Sequence, residues 1–309
     1  MSNYKYILES YNGSKTRYHC PHCKIKGVFT KYINMQTNEH LNDAVGCCNR
    51  LLKCGYHYKP KQYFQDNNFK DEKPTLNRYI PQSRSNPNTS FIDKKIFSES
   101  MNRNKPNYFI DYLASLWDYE IANHLAEKYK VGTSKYWNGA TVFWQVDIQG
   151  KIRTGKTMLY NSYSGKRIKK PYNHINWAHK LLKLDDFNLE QCYFGEHLLN
   201  EGPNKPVAIV ESEKTAIIAS VYLPEFIWLA CGSVNNLNET KTKVLKGRNV
   251  VLFPDLNCFE LWNNKIPGLT NLVTFRTSSL LELRATENEK KQGLDIADYL
   301  VKINPKKLF

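Results

Sequence analysis

The chain has 309 residues and carries 44 Lys and Arg against 29 Asp and Glu, a formal net charge of +15. That length allows two or three cores, and an aromatic content of 13% excludes a disordered polymer. No run of about 18 apolar residues offers a membrane span and the opening MSNYKYILES has no apolar core, so a cytoplasmic protein with no membrane partner is expected, one whose positive field favours polyanions.

Five of the eight cysteines lie between Cys20 and Cys54. In a reducing compartment such a density points to metal rather than disulfides. Cys20-Pro-His-Cys23 runs on to Gly27, and Gly46-Cys47-Cys48-Asn49 leads to Cys54 and Gly55, so each group can form a knuckle that turns its thiolates towards one point. Taking Cys48 in place of Cys47 gives Cys20, Cys23, Cys48 and Cys54 as the ligands of a Zn2+ β-ribbon over residues 1–64. The step from Cys48 to Cys54 is longer than in most such pairs, which leaves Cys47, His22 and His57 open as substitutes for one ligand. Buried free thiols are the alternative.

Residues 65–95, rich in Asn, Ser and Pro, are expected to be a linker. From Phe91 to Tyr129 apolar residues recur at three and four (Phe109, Leu113, Leu116, then Ile121, Leu125), predicting packed helices stopped by Gly132. Residues 140–147 then read as a strand turning at Gln149-Gly150. The segment GKIRTGKT (150–157) matches the phosphate-loop pattern, with Lys156 and Thr157 in the phosphate and magnesium positions. That pattern needs a helix directly after Thr157, and MLYNSYSG reads instead as a strand closing on a turn, so a β-hairpin is expected. Between Gly150 and Leu184 stand nine Lys or Arg, no acid, and Tyr160, Tyr163, Tyr172 and Trp177. Charge alone would make a solvated face; cations interleaved with rings suit single-stranded nucleic acid, with Arg153, Lys156, Lys166, Arg167, Lys169 and Lys170 as contacts.

The apolar runs Val207–Val210, Phe226–Ala230 and Val250–Phe253 alternate with helical segments such as Glu213–Tyr222, the pattern of a parallel sheet covered on both faces. Later elements are expected at 259–264, 272–275 and 296–303. Glu211 ends the first run and Asp255 follows the third, and ligands gather at the carboxyl ends of such strands. Two carboxylates there would make half of a magnesium site; alternatively they cap the helices that follow.

This last third resembles the Toprim domain of replicative primases, topoisomerases and some nucleases. Those domains carry a glutamate, usually followed by glycine, after one strand and Asp-x-Asp after another. Here the strings are VAIVES, with Ser212 in the glycine position, and FPDLN, with Asn257 in place of the second aspartate. Asparagine keeps an oxygen but removes a charge, which weakens metal binding. The strings CNRLLKCGYHY, GKIRTGKTMLYN and VAIVESEKTAIIAS are similar to primase-like proteins of plasmids, phages and conjugative elements. The resemblance implies an α/β fold at residues 205–309, a Toprim-like, Rossmann-type parallel sheet, preceded by a basic α+β region at 96–204 and the zinc ribbon. It further implies Mg2+ or Mn2+ held by Glu211, Asp255 and Asn257, with Glu211 also serving as general acid or base and Lys214 meeting a phosphate. The implied partners are single-stranded DNA or RNA, nucleotides and a separate replicative helicase. Two rivals stand beside this: a non-catalytic, zinc-dependent nucleic-acid-binding protein with a degenerate Toprim domain, and a P-loop NTPase using Lys156.

Overall fold

The computed structural model describes residues 5–11, 13–50, 53–67, 88–102, 104–184, 186–269 and 271–303. The chain divides into two compact units, Met1–Arg84 and Ser85–Phe309. Most of the linker expected at 65–95 lies outside the described residues; its last positions enter a helix at Lys94.

In the first unit β1 (Tyr6–Leu8), β2 (Phe29–Asn34), β3 (Gly46–Cys48) and β4 (His57–Tyr58) form an antiparallel sheet in that order, followed by α1 (Pro60–Asp66) with Pro60 in its first turn. Its apolar cluster holds only Cys20, Phe29 and Cys48 as fully buried members, with Tyr18, Val28 and Tyr56 packed against them. So small a core supplies little hydrophobic stabilisation.

The second unit opens with α2 (Lys94–Met101), α3 (Tyr108–Leu116) and α4 (Tyr119–Lys128). Asp93, Asn107 and Asp118 cap them, each side chain accepting backbone N–H groups of the first turn. The periodic residues Phe109, Leu113 and Leu125 are buried in the main apolar cluster of this unit. Gly132 does not stop α4. The helix ends at Lys128, Lys130 turns the backbone at φ 55°, and Gly132 sits inside β5 (Val131–Thr133). A side chain at Gly132 would strike Ser100 and Trp144, so close packing rather than helix termination selects glycine.

β5, β6 (Thr141–Val146), β7 (Ile152–Met158) and β8 (Ile175–Trp177) make an antiparallel sheet, and α5 (Ala178–Leu181) comes next. The third sheet is parallel: β9 (Val207–Val210), α6 (Glu213–Tyr222), β10 (Ile227–Ala230), α7 (Glu239–Thr242), β11 (Asn249–Leu252), α8 (Phe259–Asn263), β12 (Thr274–Thr277), α9 (Leu280–Arg284), α10 (Glu287–Gln292) and α11 (Ile296–Leu300), in strand order β10-β9-β11-β12. β9, β10 and most of β11 are buried on both faces, which explains their continuous apolar runs. β12 starts two residues later than expected and α11 is shorter, because an edge strand with alternating exposure leaves no apolar run to read.

One apolar cluster runs from Phe109 and Tyr129 through Tyr160 and Phe194 into Val207–Val210, Trp228 and Trp262. Packing is therefore continuous across residues 204 and 205, on either side of which separate regions were expected. Among the described residues no helix is long and apolar enough to cross a membrane.

Candidate metal centres and nucleic-acid face

Cys20, Cys23, Cys48 and Cys54 bring their sulfurs within 4.8 Å of one another, the one such set of donor atoms among the described residues. The Cys20–Cys54 and Cys23–Cys48 separations are 3.7 and 4.0 Å. A tetrahedron with metal–sulfur bonds of about 2.3 Å has edges of about 3.8 Å, so the four fit Zn2+. Two backbone turns aim them. Lys24 N donates to Cys20 O at 3.0 Å, and Cys54 N to Arg50 O at 2.8 Å. The Ile25 N–H first of all holds the Cys23 thiol down to about 6, whereas burial pushes Cys48 up to about 12. Bound zinc would replace the protons of both. Cys47, one residue along β3, points away, its sulfur directed at Cys48 O, and its thiol is raised by burial. His57 is bonded to Tyr32 Oη at 2.9 Å. His22 stands outside the four with Nδ1 3.5 Å from Cys54 Sγ, placed to orient that ligand. Of the open alternatives, Cys48 is the one whose sulfur lies together with those of Cys20, Cys23 and Cys54.

At the carboxyl end of the parallel sheet, Glu211 follows β9 and Asp255 follows β11, which are adjacent in register (Ile209 opposite Leu252). Neither is a helix cap: Ser212 precedes α6 and Cys258 precedes α8. Among the described residues no hydrogen-bond donor reaches either carboxylate. A third acid arrives from far along the chain. Asp295 caps α11, accepts from Asp298 N and from the Thr215 hydroxyl, and is drawn in by Leu256 N donating to Leu294 O at 3.0 Å. Burial, then Asp295 and Glu211, push Asp255 up to about 8. Burial likewise raises Glu211, offset in part by Lys156 and Arg167, and burial with Asp298 raises Asp295. Lys214 lowers Asp255 and Asp295, so it stands on the acids' side of α6. These half-buried carboxylates repel one another, and a divalent cation would supply the missing positive charge, although their oxygens are not gathered within 4.8 Å as the four sulfurs are.

Asn257, two residues beyond Asp255, is exposed and uses its nitrogens rather than its Oδ1 in the bonds that hold it. Its amide donates to Lys290 O at 2.6 Å and its backbone N–H to Glu282 at 2.6 Å, with φ at 66°. Asp295, whose position relative to Glu211 and Asp255 the sequence does not set, stands with the acids. The signal that could have found it was chemical only: an acid between Leu294 and Ile296 ahead of a short apolar helix.

The phosphate-loop match is a strand. Residues 152–158 are β7, and no helix follows Thr157, which is buried. Gly155 is glycine because a side chain there would meet Val142 and Trp144 of β6. Lys156 donates to both oxygens of Glu213 at 3.1 Å, with 13% and 3% of the two side chains exposed. Arg153 is held by Asp147 at 2.7 Å and Glu190 at 2.8 Å. Neither cation faces outward as a phosphate contact would, whereas Lys166, Arg167, Lys169 and Lys170 are exposed or half-buried on the connection after β7. Tyr160 is buried and Tyr163 is 89% exposed. Lys156→Ala leaves Glu213 enclosed and unpaired, so a loss of about 3–5 kcal/mol of folding stability is expected, read as a lower urea midpoint. The double variant with Glu213→Ala should lose less than the sum of the singles. A loss under about 1 kcal/mol for Lys156→Ala would contradict the pairing.

Compared with known proteins, residues 4–69 match the zinc beta-ribbon finger family and residues 107–256 match a domain of unknown function (DUF6371). The first unit is a zinc ribbon, joined in one chain to a mixed α/β unit with a parallel sheet. Among solved structures the chain is similar to the primase fragment of the bacteriophage T7 primase-helicase protein, with 13% identity, 90% of this chain and 98% of that one covered, and a TM-score of 0.37. It is also similar to the RNA polymerase domain of Mycobacterium tuberculosis primase DnaG (9% identity, 69% and 78% covered, TM-score 0.43). A third likeness is to the zinc-binding and RNA polymerase domains of the Aquifex aeolicus primase (12%, 98% and 79%, 0.37). No curated protein matches.

Proposed function

We propose that the chain is a primase-like protein of mobile-element replication that carries out metal-dependent phosphoryl transfer on a single-stranded DNA template. The observation that carries this reading is the delivery of Glu211 and Asp255 from adjacent parallel strands, joined by Asp295, as half-buried acids with too few internal donors to hold their charge. Glu211, Asp255 and Asp295 would hold Mg2+ or Mn2+, in the manner of a Toprim domain. Bound there, the ion would neutralise charge on nucleotide phosphates. Glu211, its carboxyl raised by burial, would hold a proton more readily than an ordinary glutamate and so could act as general acid or base. Lys214 and Arg167, both in the field of these acids, would meet phosphate. The zinc ribbon grips template, the basic loop guides the strand, and a separate helicase opens the duplex.

The test is incorporation of labelled nucleotide on single-stranded DNA with Mg2+ or Mn2+, with end-labelled DNA present so that cleavage is also seen. Wild type is compared with the Glu211→Ala and Asp255→Ala double variant. Product lost in the double variant supports the proposal and names the reaction. No product from either protein, with DNA binding intact in both, overturns catalysis. That outcome favours a non-catalytic zinc-dependent binder, a reading with its own support in Asn257, which stands in place of a second aspartate.

A further inference from the structure

Four rings of the second unit make a continuous row. Tyr136 and Trp137, in the β5–β6 connection, have centroids 4.6 Å apart; Trp137 meets His174 edge-on at 5.1 Å; His174 stacks on Tyr172 at 4.4 Å. The end members Tyr136 and Tyr172 are each 55% exposed, while His174 between them is buried.

The row is held in place by its backbone. Ser134 N donates to Ala140 O at 2.9 Å and Ala140 N to Trp137 O at 3.1 Å. Gly139, at φ +75°, lies against the ring of Tyr108 where no side chain would fit. On the other arm, Leu159 N donates to His174 O at 3.3 Å, and His174 Nδ1 lies 3.2 Å from Ile168 O. The rings are thus held in fixed orientations, Tyr172 stacked on His174 at 27° and the other two contacts edge-on at 71° and 74°, so a planar ligand can meet the exposed rings of Tyr136 and Tyr172 without reordering side chains.

The surroundings state the charge of that ligand. Lys166, Arg167, Lys169 and Lys170 lie on the segment that carries Tyr172, and no acid occurs between Gly150 and Leu184. Lys135 adjoins Tyr136, with Glu99 3.9 Å away. Planar rings edged by cations suit a polymer with flat bases and a phosphate backbone. Double helices hide base faces; single strands offer them.

We propose that Tyr136, Trp137 and Tyr172 form a base-stacking platform for single-stranded nucleic acid, with Lys169 and Lys170 meeting its phosphates. The site rests on the nucleic-acid function proposed for the chain and deepens it by naming the rings. Arg167 lies between Lys166 and the residues leading to Tyr172 and also acts on Glu211, so a strand on the platform would continue towards the acids.

The test uses the full chain and fluorescence anisotropy with two labelled polymers of about 16 units, an oligothymidylate and an abasic phosphodiester of equal length. Wild type should bind the oligothymidylate at least about tenfold tighter than the abasic polymer. Tyr136→Ala with Tyr172→Ala, both surface changes, should remove that preference and leave abasic binding unchanged. Lys169→Ala with Lys170→Ala should weaken both polymers alike and lower the salt slope by about 1.4. Oligothymidylate should also quench an emission component that is missing in Trp137→Phe. Equal affinity of wild type for the two polymers, or a preference that survives the tyrosine changes, overturns the platform while leaving nucleic-acid binding standing. Failure of wild type to bind either polymer at low salt overturns both.

Discussion

Asp255→Asn is expected to raise the melting temperature in EDTA at pH 8 and to abolish the stabilisation that Mg2+ gives the wild type. Asp255 is enclosed beside Asp295 and Glu211, and its carboxyl is pushed from 3.8 to about 8, by burial first and then by those neighbours. Between those two values the folded chain holds a proton that the unfolded chain has released. Rising pH therefore weakens the folded state across that window, and the weakening is complete above about 8. At about 1.4 kcal/mol per unit, and allowing for the acids that titrate with it, the effect at pH 8 is on the order of 3–5 kcal/mol. For a unit of this size that is roughly 5–15 °C. Wild type should thus lose stability from pH 5 to pH 8 without metal, and the variant should be nearly flat. A cation that binds the ionised cluster reverses the sign, since it stabilises only the folded form. In the incorporation assay the same change should cost at least about 100-fold, because the phosphate-neutralising ion is lost. Equal pH profiles for the two proteins would sink the account of the acidic cluster.

Cys54→Ser should release the zinc and unfold the first unit, whereas Cys47→Ser should do neither. The unit's apolar cluster has three fully buried members, two of which are themselves cysteines of the site. With almost no other core, metal binding is its folding energy, about 10–16 kcal/mol for structural zinc at neutral pH. Removing one of four thiolates leaves the remaining three unable to close the tetrahedron and opens the knuckle at Arg50–Gly55. Cys47 directs its sulfur away from the cluster, and losing its thiol costs only local packing. Zinc content after gel filtration, and protease sensitivity of the segment before residue 68, report both effects. Zinc retained by Cys54→Ser at one ion per chain would show that His22, 3.5 Å from that sulfur, takes its place.

Much of this was legible in the residues. The cysteine spacing marks a ribbon because thiolate pairs need short, glycine-containing turns, and the buried strands announce themselves as Val-Ala-Ile-Val and Asn-Val-Val-Leu because a parallel sheet has no wet face. The absence of a helix after Thr157 suffices to reject a phosphate loop. Local pattern erred where packing overrode it: Gly132, read as a helix stop, is a strand residue pressed against Trp144. It also counted Arg153 and Lys156 among six nucleic-acid contacts, although both are tied to carboxylates tens of residues away.

What the sequence determined by itself is everything that depends on neighbours along the chain: strand and helix type from periodicity, the thiolate turns from spacing, the polyanion-seeking field from composition. What only the tertiary structure decided is which distant groups meet. Asp295 joins Asp255, Glu213 neutralises Lys156, and Tyr136 lines up with Tyr172 because the β5–β6–β7 register and the docking of α11 on α6 bring them together. Periodicity records whether a side chain is buried. It does not record against what, because the partner's identity is set by the path of the chain between them.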